Sequence, residues 1–81
     1  MTRNEIYEQL TEIFKDVFDD ESIVLDDMTT AEAIEDWDSL THISLIAAIE
    51  DEFEIRFDMK QVIALKNVGE LVDAIMHAKE Q

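Results

Sequence analysis

The chain contains no proline and a single glycine, Gly69. Tight hairpins and β-bulges draw on those two residues, so a turn-rich β fold is disfavoured and helices are expected instead. At 81 residues the chain should form one domain, residues 1–81. A chain of this size buries only about 60% of the surface it exposes when unfolded, so its core is thin and a deep, enclosed active site is not expected. There is no cysteine, which removes a disulfide framework, a thiolate metal site and a cysteine nucleophile. A reducing interior compartment is the simplest setting.

Helix signals recur along the sequence. Thr2-Arg3-Asn4-Glu5 fits a capping box, and Ile6, Leu10, Ile13, Phe14 and Val17 follow at helical spacing. A first helix is therefore predicted from about Arg3 to Phe18. Residues 19–38 read as a long ordered loop in which Ile23, Leu25, Met28 and Ile34 plug the core irregularly. Thr30 to Ala33 should make one short helical turn. A second helix is predicted from Asp38-Ser39 to about Phe53. A short third follows over Met59–Ile63, capped by Asp58. The fourth opens at Asn67-Val68-Gly69-Glu70, with Val68, Leu71, Val72 and Ile75 as its stripe. The expected fold is all-α: a small antiparallel four-helix bundle, three helices main and one short, with a long first loop.

The second helix carries two apolar faces. Leu45, Ile46, Ile49 and Phe53 fall in one arc about 100° wide, suited to the core. Leu40, Ile43 and Ala47 form a second stripe roughly 140° away, with Glu50, Asp51 and Glu54 on or beside it. An apolar strip edged by carboxylates is what a docking surface needs, since apolar contact supplies affinity and charge supplies orientation and on-rate. The alternative is that the stripe packs beneath the long loop.

Charge narrows the partners. With 21 acidic residues against 6 basic ones the formal net charge is −15. Nucleic acid and anionic membrane surfaces would be repelled, and basic protein surfaces attracted. The apolar fraction of 47% argues against disorder. No segment resembles a signal peptide or reaches transmembrane length, so no membrane insertion and a cytoplasmic location are expected. A monomer is the expected state.

Asp38-Ser39-Leu40 stands where the acidic loop becomes a helix. Asp38 is a natural cap and Ser39 the first helical residue. Near a helix N-terminus, unpaired amides and the dipole favour an attached phosphate. The stretch Asp36-Trp37-Asp38-Ser39-Leu40-Thr41-His42-Ile43, followed by Glu50-Asp51-Glu52-Phe53, resembles the acyl carrier protein family. Its members open the second helix with D-S-L and carry E-x-x-F near that helix's end. The likeness extends over essentially the whole chain. It implies that Ser39 carries 4′-phosphopantetheine, transferred from coenzyme A by a phosphopantetheinyl transferase. The arm's thiol would hold an acyl cargo as a thioester, and the carrier itself would not be an enzyme. Its tether would raise the effective concentration of cargo at each acyl-loading, transferring or condensing enzyme. Asp38, Leu40, Ile43, Ala47, Glu50 and Asp51 would meet basic docking patches on those enzymes, and the apolar interior would shelter an acyl chain. Members serving fatty-acid synthesis usually have a small residue where Trp37 stands, and acids where Thr41, His42 and Ser44 stand. The departure implies a freestanding carrier of a dedicated pathway, such as polyketide, nonribosomal peptide or polysaccharide assembly. D-alanyl carriers are similar in size and charge and remain an alternative, whereas the Gly-Gly-His/Asp-Ser pattern of peptidyl carriers is absent. A second reading, of a different class, is an acidic interaction module without a prosthetic group.

Other chemistry is set aside. Asp38, Ser39 and His42 lie within one helical turn and cannot readily form a nucleophile–base–orienter chain. His42 is read as a surface residue of the docking helix, and His77 as solvated. Trp37 should pin the loop against the bundle. Asp26 and Asp27 read as a solvated loop surface. The span Asp19 to Thr30 lacks the glycine and twelfth-position glutamate of an EF-hand, so no dedicated metal site is expected.

Overall fold

The computed structural model describes residues 2–80. It contains four helices, α1 (Arg3–Phe18), α2 (Ser39–Phe53), α3 (Met59–Ile63) and α4 (Val68–Lys79), with a 3₁₀ turn over Ala31–Ala33. Among the described residues there is no strand. Each helix starts where a side chain takes up its first free amides. Thr2 and Glu5 close a reciprocal capping box on α1. Asp58 accepts from the amide of Lys60, and Asn67 from that of Glu70. The αL region ends two helices, at Asp19 (φ 50°) and Glu54 (φ 55°), although neither residue is glycine.

The predicted stripes are the core. Ile6, Leu10 and Phe14 of α1, Leu45 and Ile49 of α2, and Val68, Val72 and Ile75 of α4 are wholly enclosed. α1 packs against both α2 and α4. Val17 departs from expectation: it is only partly buried, and Phe18 takes the last core position of α1 instead. In the long loop Ile23 is buried, while Leu25 and Ile34 lie half-buried against the core. Met28, expected to plug the core, is 78% exposed.

The loop is anchored at its middle rather than only at its ends. Val68 donates its amide to the Thr29 carbonyl (2.8 Å) and Gly69 to the Asp27 carbonyl (3.0 Å), so the loop caps the first turn of α4. This explains the single glycine. A Cβ at Gly69 would stand 2.9 Å from the Asp27 carbonyl oxygen, closer than carbon and oxygen pack.

Asp27 is no solvated surface residue, correcting the sequence expectation. Its Oδ1 accepts from the Arg3 guanidinium (2.9 Å) and from the Tyr7 hydroxyl. Arg3 also reaches Asp73 on α4 at 2.7 Å. One guanidinium thus joins α1, the loop and α4. Hydrogen bonds from Tyr7 and then Arg3 hold the Asp27 carboxyl below its usual range. Burial, and then the bond to Asp27, push the Tyr7 hydroxyl up to about 12. Asp26 keeps a local role, accepting from the Met28 amide and the Thr29 hydroxyl. No helix among the described residues is long and apolar enough to cross a membrane.

Candidate functional site

Ser39 is the first residue of α2, and its side chain is exposed. The turn that presents it is fixed by its neighbours. Asp38 Oδ1 accepts from the amides of Leu40 (2.9 Å) and Thr41 (3.0 Å). In return, the Asp38 amide donates to Thr41 Oγ1 (2.7 Å), whose own hydroxyl donates to the Asp36 carbonyl (2.7 Å). The box is thus closed by threonine in the place where glutamate is usual. Bonds from the Thr41 and Leu40 amides hold the Asp38 carboxyl below the usual carboxylate range. They also occupy two donors that the sequence left open for an attached phosphate. What sets Ser39 apart is its access and its surroundings, not a vacant amide cradle.

Those surroundings are a cleft of about 540 Å³ between the start of α2 and α3. Trp37, Ile43, Val62, Ile63 and Leu71 supply most of its apolar lining, and Ser39 and Asp38 lie at its edge. Lys66 is the one cationic residue that lines it. Core side chains occupy the bundle interior, and this cleft opens beside them, lined in part by the buried Val62 and Leu71.

Trp37 pins the loop as expected. Its ring meets Phe14 edge-on at 5.2 Å between centroids and lies 6.3 Å from Phe18. His42 corrects the sequence reading: it is half-buried rather than a surface residue. The indole Nε1–H of Trp37 donates to His42 Nδ1 at 3.0 Å, with the rings stacked. The other ring nitrogen, Nε2, lies 3.3 Å from the Val62 carbonyl of α3. A signal for this existed in the sequence. His42 stands four residues before Ile46 and seven before Ile49, the spacing of a core face.

The second stripe of α2 is on the outside. Leu40 is 77% and Ile43 65% exposed, so neither packs beneath the loop. Ile63 of α3, which shares the cleft with Ile43, is 76% exposed. Ala47 and Asp51 are also exposed. Glu50 differs from the rest: its Oε2 accepts the Phe57 amide at 2.9 Å, so it also fastens the turn after α2. Among the described residues no group of three or more His, Asp or Glu side chains is arranged to hold a metal ion.

The comparisons agree with this geometry. The family described as "Phosphopantetheine attachment site" matches residues 8–75. The fold is similar to the solution structure of a holo acyl carrier protein from Geobacter metallireducens. The TM-score is 0.86 at 43% identity, over 91% of this chain and 85% of that one. No curated protein matches the sequence. The chain belongs to the family of phosphopantetheine-bearing acyl carrier proteins. It is a carrier and not an enzyme, its prosthetic group is 4′-phosphopantetheine, and its partners are phosphopantetheinyl transferases and acyl-handling enzymes. This decides against the interaction module without a prosthetic group.

Proposed function

We propose that Ser39 is the attachment residue and that the cleft beside it receives the arm or a short apolar cargo. The observation that carries this is an exposed hydroxyl on a rigidly capped first turn, at the edge of an apolar cleft. In the loading reaction the Ser39 Oγ forms a phosphodiester with the phosphopantetheine half of coenzyme A. The hydroxyl proton goes to the transferase, and the adenosine bisphosphate half leaves. Once bound, the group supplies a thiol on which cargo is held as a thioester. The chain's own residues hold the serine clear of the bundle and leave Leu40, Ile43, Ala47 and Asp51 open to a partner, with Asp38 and Glu50 adding charge at either end. This surface favours basic partners, and the apolar cleft lining favours an acyl over a D-alanyl cargo. Trp37 and the non-acidic Thr41, His42 and Ser44 support service in a dedicated pathway rather than in bulk fatty-acid synthesis. We place the protein in the cytoplasm as a monomer.

Intact mass after incubation with coenzyme A and a broad-specificity transferase tests the assignment. The mass should rise by one phosphopantetheine, and Ser39→Ala should abolish the gain while leaving the helical circular-dichroism signal unchanged. A gain that persists in folded Ser39→Ala would move the attachment elsewhere.

A further inference from the structure

His42 is fixed by two partners with opposite demands. An indole nitrogen only donates, so Trp37 requires an unprotonated Nδ1 opposite it. A backbone carbonyl only accepts, so the Val62 oxygen requires a proton on Nε2. Only the neutral Nε2–H tautomer satisfies both. These two bonds connect the walls of the cleft beside Ser39, with Trp37 of the long loop on one side and α3 on the other. α3 has little else to hold it. It is five residues long, and Val62 is the one buried residue among those of its side chains that are described.

We infer that His42 is a positioning residue that latches Trp37 and α3 across the cleft, and that its protonation releases the Trp37 side while the Nε2–H bond to the Val62 carbonyl stays. Histidine is the side chain that changes charge between about pH 5 and 8. A proton on Nδ1 would face the indole N–H and replace a hydrogen bond with two opposed donors. Of the charged residues, Asp38 from the cap of α2 and Lys66 from the segment after α3 line the same cleft; the remaining lining residues are uncharged. The latch does not depend on what Ser39 carries, so it can be tested on the protein with or without its prosthetic group.

The test is nuclear magnetic resonance of the labelled protein from pH 8 to pH 5. As the only tryptophan, Trp37 gives a single indole N–H resonance. That resonance should move upfield along the same curve as the carbon-bound imidazole protons of His42, and His77→Gln should leave the curve in place. At constant neutral pH, His42→Phe fills the space but makes neither bond. The amides of Ala64 and Leu65 should then exchange on the order of fivefold faster per bond lost, with α1 and α4 unchanged. His42→Gln keeps a donor and an acceptor without titrating, and should hold the indole resonance level across the pH range. An indole resonance that does not follow the His42 titration overturns the inference, and the wild-type protein alone decides that. So does a folded His42→Phe variant whose α3 amides exchange as slowly as in the parent.

Discussion

Arg3 and His42 each join three segments of the chain, but by different chemistry. Arg3 links α1 to the loop through Asp27 and to α4 through Asp73, as a permanent cation between two carboxylates. His42 links α2 to the loop through Trp37 and to α3 through Val62, as a neutral ring between a donor and an acceptor. Around Arg3 the backbones also interlock, with Gly69 and Val68 bonded to Asp27 and Thr29. Around His42 there is a cleft, a five-residue helix and three exposed apolar side chains, Leu40, Ile43 and Ile63. The tightly fitted end can afford fixed charges at its surface. The end that bears Ser39 keeps apolar surface in water, a cost that is reasonable where a partner covers it.

The largest expected effect lies beneath both regions. Phe14 is fully enclosed and touches Trp37, so Phe14→Ala should lower stability by about 3–5 kcal/mol in urea denaturation. Leu40→Ala or Ile43→Ala should change it by no more than about 0.5 kcal/mol, because these side chains already face water. Equal losses would mean that the exposed stripe is part of the core.

Gly69→Ala sharpens the other side of the comparison. Alanine normally improves a helix, but here its Cβ would push the loop off α4, and a loss of about 1–3 kcal/mol is expected. A gain in stability would show that the loop yields easily.

The next effect is on pH. Tyr7 is the only tyrosine, so its ionisation is read directly by ultraviolet absorbance, with an expected midpoint of about 12. Because the folded value is raised, its contribution is present below the unfolded value near 10 and lost as the pH climbs towards 12. Asp27→Asn should lower that midpoint without returning it to 10, since burial is the larger cause. Asp27 itself has a lowered folded value. Its contribution is therefore present above the usual carboxylate range near pH 4 and lost as the pH falls through and below it. The Arg3 end should thus weaken only in strong acid, and a loss already complete in mild acid would show that Tyr7 and Arg3 do not hold the Asp27 carboxyl.

The smallest effect is that of salt. Between Asp16 and Asp58 there are fifteen acidic residues and one base, Arg56. Raising sodium chloride from about 0.02 to 0.2 M should lift the melting temperature by a few degrees by screening that repulsion. A flat response would mean that the charges are already well separated.

Much of this was legible in the sequence because it is local. The caps at Thr2, Asp38, Asp58 and Asn67 mark the helix starts, and the apolar stripes name the core down to Leu45, Ile46, Ile49 and Phe53. What escaped is the pairing of distant residues. Periodicity tells which face of a helix is apolar, but not that Arg3 reaches Asp27 and Asp73, or that Glu50 turns back to the Phe57 amide. Met28 was misread for a related reason: a loop has no period from which burial can be deduced. His42 was misread because a polar residue on a core-spaced position was taken at its hydropathy rather than its register.

Glu54 has a practical consequence for anyone who uses this domain as a fusion handle. It ends α2 in the left-handed region that glycine occupies without strain. Counting along the helix, it stands roughly 22 Å from Ser39 at about 1.5 Å per residue. Glu54→Gly would therefore relax one backbone position at the opposite end of α2 from Ser39, and would remove one negative charge beside the exposed stripe of that helix.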